Sequence, residues 1–92
     1  MRVEWSTHAV SDLKAISDYI EQDRTLETAN RVTRTIYESA QSLRTMPFRG
    51  RIGRVENTRE LVIPRLPYIV VYRVFEERVL ILNIVHGARR WP

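Results

Sequence analysis

The sequence contains no cysteine, only three glycines and four prolines, and a single lysine beside fourteen arginines. Without cysteine, the chain forms neither a disulfide framework nor a thiolate metal site. The two histidines, His8 and His86, are separated by most of the chain and make a poor zinc-binding pair. We therefore expect a fold held together by its hydrophobic core, with no metal and no other cofactor.

Long apolar segments are also absent. No run approaches the ~20 residues that span a bilayer, and the first residues, MRVEWSTH, lack the apolar centre of a signal peptide. A chain of 92 residues, of which 43% are hydrophobic and 28% charged, is enough for one core and too short for two. We expect one domain, residues 1–92, located in the cytoplasm.

The charge is positive, with a formal net value of +4. The planar guanidinium group of arginine binds phosphate and carboxylate in a bidentate manner and stacks on bases, so an arginine-rich chain suits nucleic acid or an acidic peptide as partner. A GC-rich genome would also favour arginine codons. The number of arginines alone therefore does not show a function, and their positions in the chain must be considered.

The first half of the chain predicts a strand and two helices. The alternating segment RVEW suits a short strand, and Ser6 or Thr7 can cap a helix that ends near Asp23. A second helix begins near a cap at Thr25, and Pro47 stops it. The expected apolar positions are Ala9, Val10, Leu13, Ile16, Tyr19 and Ile20 on the first helix, and Ala29, Val32, Ile36, Ala40 and Leu43 on the second.

The second half predicts a loop and three strands. The segment FRGRIGRVEN, residues 48–57, has no sustained period and is expected to be a loop. The strands are RELVI, YIVVYRVF and VLILNIV, and the last two are apolar enough to lie in the middle of a sheet. The expected fold class is α+β, in the order β-α-α-β-β-β, with the helix hairpin packed on one face of a small antiparallel sheet.

The last two strands form a hairpin whose register depends on the Glu76-Glu77 turn. A two-residue turn pairs residue 75 with 78 and residue 73 with 80. It also predicts that Arg73 and His86 share the face of the sheet that lies away from the helices. A three-residue turn would place them on opposite faces.

Basic and aromatic side chains make up the candidate site, because no phosphate-binding glycine loop, metal cluster or serine triad can be assembled. The candidates are Arg49, Arg51, Arg54, Arg59, Arg73, His86, Arg89, Arg90 and Trp91. Arginines with an adjacent indole suit single-stranded nucleic acid or an acidic peptide.

Several of these candidates also have a structural explanation. The loop arginines can simply be solvated. Arg73 lies between apolar neighbours and needs a partner such as Glu60 or Glu56. His86 can transfer protons near neutral pH or pack at a strand end, and Trp91 can close the core.

Three segments in order, GRIGRVENTRELVI, PYIVVYRV and IVHGARRWP, resemble the RelE/ParE superfamily of bacterial toxins from type II toxin-antitoxin modules. The resemblance covers essentially the whole chain. It implies a growth-inhibiting toxin that is silenced by a co-expressed antitoxin. The antitoxin would have a DNA-binding N-terminal part and an acidic C-terminal segment that wraps over the toxin. A basic toxin with an acidic wrapping partner agrees with the charge.

The superfamily implies two different activities. RelE-like members cleave mRNA on the ribosome without a metal, and ParE-like members inhibit DNA gyrase. RelE-like nucleases carry an arginine early in the third strand, where this chain has Ile69, and a basic residue just after the last strand, where it has Ala88. They also carry a later tyrosine that has no counterpart here.

These departures favour gyrase inhibition, which would not make the protein an enzyme. A nuclease would have to use relocated groups instead, namely Arg59, Arg73, His86 and Arg89. A third hypothesis is a non-toxic interaction module whose basic face only binds its partner. The sequence does not identify the antitoxin or the stoichiometry of the hetero-oligomer.

Overall fold

One strand, two consecutive helices and then four further strands follow one another in the computed structural model, which describes residues 1–87. They are β1 (Arg2–Trp5), α1 (Thr7–Asp23), α2 (Leu26–Gln41), β2 (Arg51–Ile52), β3 (Arg59–Val62), β4 (Tyr68–Val74) and β5 (Arg78–His86). The predicted order is present with one addition, because β2 lies inside the segment expected to be a loop. A strand of two residues is too short to show a period in sequence.

Both predicted helix caps are confirmed. The hydroxyl of Ser6 accepts a hydrogen bond of 3.0 Å from the backbone N–H of Ala9. The hydroxyl of Thr25 accepts one of 3.1 Å from Thr28. Helix α2 ends earlier than Pro47, because the chain tightens into a 3-10 turn, Ser42–Arg44, directly after Gln41.

The row of apolar side chains that the helices bury is narrower than the sequence predicts. The fully buried helical residues are Ala9, Ala29, Ile36 and Ala40. Val10 and Tyr19 were expected to widen the stripe of α1, but both are exposed. Val10 lies about 100° around the helix from Ala9, which takes its side chain beyond the part of α1 that faces the sheet. Within residues 1–87, neither helix is long and apolar enough to cross a membrane.

The sheet has the strand order β1-β5-β4-β3-β2. Strands β2 to β5 pair antiparallel, and β1 pairs parallel to β5, from Arg2 beside Arg78 to Trp5 beside Ile81. The α+β class is therefore confirmed, although the sheet is mixed rather than antiparallel throughout. As predicted, β4 and β5 lie in its middle.

The core lies between the helices and one face of the sheet. Tyr72, Val70, Val79 and Ile81 from the central strands are fully buried there with Ile36 and other helical side chains. We call this side of the sheet the helix face and the opposite side the far face. Paired residues on neighbouring strands share a face, so the register assigns each strand residue to one side.

A β-bulge in β5 changes the register of the last hairpin. Phe75 N–H donates to the Arg78 carbonyl at 2.8 Å, and Arg73 pairs with Leu80, so the predicted two-residue turn is confirmed. Further along, Tyr72 pairs with Ile81 but Val71 pairs with Asn83, which leaves Leu82 as an extra residue.

The extra residue moves the end of β5 to the other side of the sheet. His86 therefore pairs with Tyr68, a core residue on the helix face, whereas Arg73 lies on the far face. The prediction that Arg73 and His86 share a face is wrong. The prediction assumed that successive side chains of β5 point to opposite faces along its whole length, and the bulge at Leu82 breaks that alternation.

Candidate functional site

Four of the predicted arginines come together at the β2 edge of the sheet. Arg51 lies on β2, Arg59 lies opposite on β3, and Arg49 and Arg54 flank β2 on either side. We call these four residues, together with Phe48 and Ile52, the arginine corner. Its arrangement depends on two buried side chains that the sequence analysis did not select, Tyr72 and Glu60.

Tyr72 fixes the chain that enters β2. Its buried hydroxyl donates to the Pro47 carbonyl at 2.8 Å and accepts from the Gly50 N–H at 2.9 Å. Burial raises the pKa of this hydroxyl, and the Gly50 hydrogen bond and the nearby arginine charges offset only part of that effect. The phenol therefore stays protonated and serves as a fixed hydrogen-bonding group.

Arg59 secures the same segment from the neighbouring strand, where it pairs directly with Tyr72. Its guanidinium group donates to the Gly50 carbonyl at 2.8 Å and to the Phe48 carbonyl at 3.4 Å. The same group lies 4.9 Å from the centre of the Phe48 ring, in cation–π geometry. Arg59 was predicted to bind a target, and the structure shows it bonded mainly within the protein.

Gly50 is required by this packing. A Cβ atom at this position would lie 2.7 Å from the Tyr72 hydroxyl oxygen and 2.9 Å from the Glu60 carbonyl oxygen. Both distances are shorter than real contacts allow, so any side chain would push the strands apart. The glycine thus lets the arginine corner pack directly onto β3 and β4.

Glu60 holds β2 itself and the segment that follows it. Its side chain is 2% exposed, and its carboxylate accepts bonds of 2.9 and 3.2 Å from the Arg51 guanidinium and one of 3.0 Å from the Arg54 N–H. Burial by itself would raise the pKa of Glu60, but these hydrogen bonds and the two arginine charges outweigh it and lower the pKa below its ordinary value. Glu60 is therefore ionised at neutral pH and fixes the path of the loop.

Arg73 lies outside the corner, on the far face near the turn between β4 and β5. Its guanidinium group lies 4.8 Å from the centre of the Phe75 ring, and Arg78 lies 4.6 Å from the same ring. The sequence suggested Glu60 or Glu56 as a partner of Arg73, but neither forms an ion pair with it. Glu60 is bonded to Arg51 instead. Arg73 tolerates its position because its charged end is exposed.

Arg78, which the sequence analysis did not select, forms an ion pair of 2.6 Å with Glu4 on β1. This hydrogen bond lowers the pKa of Glu4, together with the charges of Arg78 and Arg2 and against a smaller effect of desolvation. An arginine and a glutamate on separate strands carry no signal in sequence that would pair them.

His86 occupies the opposite end of β5. Its ring meets the Tyr68 ring edge to face, with 5.6 Å between the ring centres. Both residues line an open groove of about 760 Å³ that α1 borders through Asp12, Ile16 and Tyr19. Among the described residues, the neighbours of His86 are therefore helix α1 and the Tyr68 ring.

The separation of Arg73 from His86 limits the chemistry of the described residues. Tyr68, the partner of His86, is five residues from Arg73 along β4, which corresponds to roughly 17 Å. The two side chains also lie on opposite faces of the sheet. They cannot act on one phosphate together. Arg89, Arg90 and Trp91 lie outside the described residues, and within those residues no three metal-binding side chains are grouped.

Fold and site together define a small basic protein with an anchored arginine corner, a combination suited to binding a macromolecule. The family model described as "ParE toxin of type II toxin-antitoxin system, parDE" matches residues 3–91. The chain therefore belongs to the ParE toxin family, within the RelE/ParE superfamily, and a type II module pairs such a toxin with an antitoxin.

Individual relatives agree with this assignment. Protein Y4kP of Sinorhizobium fredii is 38% identical over 99% of this chain and 93% of its own length. Toxin RelE2 of Caulobacter vibrioides is 38% identical over 96% of this chain and 97% of its own length. A solved structure of the chromosomal ParDE system from P. aeruginosa matches with a TM-score of 0.86 and 28% identity, over 94% of this chain and 95% of the other.

Proposed function

We propose that the chain is a toxin that inhibits DNA gyrase by binding it, and that a cognate antitoxin neutralises the toxin by direct contact. The family match to ParE supports the gyrase target. In this proposal the toxin acts as a single domain in the cytoplasm, without a cofactor and without chemistry of its own.

One observation carries the proposal: Arg73 and His86 are far apart and on opposite faces of the sheet. Metal-free RNA cleavage needs charge stabilisation at the phosphate and a proton donor or acceptor within hydrogen-bond reach of the same group. Arg59, the third member of the relocated set, donates its hydrogen bonds to the Gly50 and Phe48 carbonyls. The described residues therefore suit binding better than cleavage.

The antitoxin is expected to combine a DNA-binding N-terminal part with an acidic C-terminal segment. An acidic segment would neutralise part of the +4 charge of the chain. The exposed apolar side chains of the helix hairpin, Val10, Tyr19, Leu26 and Tyr37, provide a surface for it. The silenced form is then a hetero-oligomer of toxin and antitoxin.

A ribosome-dependent endoribonuclease is the second candidate, because one relative of nearly full length is named Toxin RelE2. This function would require Arg89, beyond the described residues, to supply what Arg59, Arg73 and His86 do not assemble. A third candidate, an interaction module without toxicity, requires only that the basic face bind its partner.

Induction in growing cells separates the three candidates. The chain is induced alone and together with the neighbouring reading frame, and plasmid supercoiling, DNA breaks and mRNA integrity are followed. Gyrase inhibition predicts arrested growth with lost supercoiling or DNA breaks and intact mRNA, reversed by the neighbour. Early mRNA cleavage would contradict the gyrase proposal, and normal growth on induction alone would contradict both toxin functions.

A further inference from the structure

The arginine corner exposes two large apolar side chains. Phe48 is 64% exposed and Ile52 is 77% exposed. They flank Arg59 on the helix face of the sheet, because Ile52 is its cross-strand partner and the Phe48 ring lies against its guanidinium group. An aromatic and an aliphatic side chain are therefore exposed on either side of Arg59, and we call these two side chains the apolar surface of the corner.

This apolar surface is held in place. Tyr72 and Arg59 hold the chain on the N-terminal side of β2, and Glu60 bonds Arg51 and the N–H of Arg54. The Arg49 guanidinium donates to the Ser42 hydroxyl at 2.9 Å. A surface that is ordered before binding loses little conformational entropy when a partner arrives, which favours affinity.

The composition of the corner favours a protein partner over nucleic acid. Arginine and aromatic residues are enriched at the energetic centres of protein interfaces. Ile52 has no π face on which a base could stack, so its gain on binding comes from an apolar pocket. Within the corner, Arg51 is neutralised by the carboxylate of Glu60. Arg49 and Arg59 donate to uncharged oxygens, which leaves the surface positive. A positive surface complements an acidic partner.

We propose that the arginine corner is the surface that binds the cellular target, and that the target presents an acidic protein surface with an apolar pocket for Phe48 and Ile52. This inference rests on the proposed function, since it locates the gyrase-binding site of the toxin. The antitoxin is assigned elsewhere, because the helix hairpin carries its own exposed apolar side chains, including Tyr19 and Leu26.

The test replaces Ile52 and Phe48 by serine, one at a time, and uses Val62→Ser as the matched control. Val62 is an exposed aliphatic residue, 48% exposed, on the adjacent strand β3, and its register places it on the far face. Inhibition of purified gyrase, growth on induction, and affinity for the antitoxin of the neighbouring reading frame are measured. Urea denaturation verifies that each variant is folded.

The expected result is a loss of about tenfold or more in gyrase inhibition and toxicity for Ile52→Ser and Phe48→Ser. Affinity for the antitoxin should stay within about threefold, and Val62→Ser should match the wild type. Equal loss of antitoxin affinity would overturn the assignment of the corner to the target. A further variant, Arg49→Ala, tests nucleic acid as the target. If Arg49→Ala is inactive while Ile52→Ser keeps full activity, the corner binds nucleic acid and the proposal is overturned.

Two further outcomes are separated by the same set of variants. If the wild-type chain arrests growth without inhibiting gyrase, the proposed function fails, and the growth measurements alone decide whether the corner binds the true target. Light scattering tests a second copy of the chain as the occupant. A wild-type dimer that becomes monomeric with Ile52→Ser would overturn the proposal.

Discussion

The carboxylate of Asp12 on α1 accepts a hydrogen bond of 2.9 Å from the backbone N–H of Ile84 on β5. The same oxygen accepts a second bond of 3.1 Å from the Asn83 side-chain amide. Both donors directly follow the bulge at Leu82, whose carbonyl accepts a bond of 2.8 Å from the Ser6 hydroxyl. Helix α1 and the residue that caps it therefore hold β5 in the register that turns His86 toward the helix face.

Replacing Asp12 by alanine should reduce the free energy of unfolding by about 1–3 kcal/mol, because a backbone N–H and an amide lose their common acceptor. Urea denaturation measures the change. Asp18→Ala is the matched control on the same helix. Within residues 1–87, Asp18 forms an exposed pair with Lys14 and no other ion pair, so its loss should cost about 0.5 kcal/mol or less. Equal effects of the two substitutions would show that the Asp12 contact does not stabilise β5.

Glu60 makes the stability of the chain sensitive to acid. Its pKa in the folded protein lies below the ordinary value of 4.5. Its contribution is therefore complete above about pH 4.5 and is lost as the pH falls through the lower, folded-state pKa. In Glu60→Gln the free energy of unfolding should be lower at pH 7 and should fall less steeply below pH 4.5.

Denaturation in urea at several values between pH 7 and pH 3 tests this prediction. Glu56→Gln is the control, because Glu56 is exposed in the same loop. If the free energy of unfolding of Glu60→Gln falls in acid as steeply as that of the wild type, another carboxylate causes the loss of stability.

Removing the Tyr72 hydroxyl should loosen the arginine corner. In Tyr72→Phe the buried Gly50 N–H loses its acceptor and the Pro47 carbonyl loses a donor, so the free energy of unfolding should fall by about 1–3 kcal/mol. Hydrogen exchange of the Gly50 amide should become faster than in the wild type. Tyr37→Phe, at an exposed tyrosine that stacks on Trp5, should change neither quantity. An unchanged Gly50 exchange rate in Tyr72→Phe would disprove the anchoring role.

His86 is predicted to be dispensable for toxicity. Its ring packs against Tyr68, which lies five residues, roughly 17 Å, from Arg73 along β4. A side chain that cannot transfer a proton should therefore replace His86 without loss. His86→Gln should arrest growth at an induction level within about threefold of the wild type. A large loss of toxicity in a folded variant that still binds the antitoxin would show that His86 takes part in the toxic activity.

The sequence was sufficient for the elements with a clear period or a local signal. The caps at Ser6 and Thr25 and the Glu76-Glu77 turn depend on neighbouring residues, so they could be predicted. The central position of β4 and β5 followed from their apolar composition. β2 could not be predicted, because Arg51 and Ile52 form a strand only through pairing with Glu60 and Arg59.

The site was less accessible than the fold because it depends on contacts between distant residues. The bulge at Leu82 is held by contacts with Ser6 and Asp12, which lie 70 or more residues away in the sequence, and it overturned the predicted neighbourhood of His86. Tyr72 looked like one more strand residue, and Glu60 was considered only as a possible partner of Arg73. Their roles appear only when β2 folds back against β3.

Titration of the purified toxin into a supercoiling reaction with purified DNA gyrase and relaxed plasmid shows whether the chain inhibits gyrase. We expect that rising toxin concentration lowers supercoiling, that the co-purified antitoxin restores it, and that His86→Gln inhibits as well as the wild type. Undiminished supercoiling at every toxin concentration, with mRNA cut by the same preparation in a translating extract, would show that the toxin is a ribonuclease and not a gyrase inhibitor.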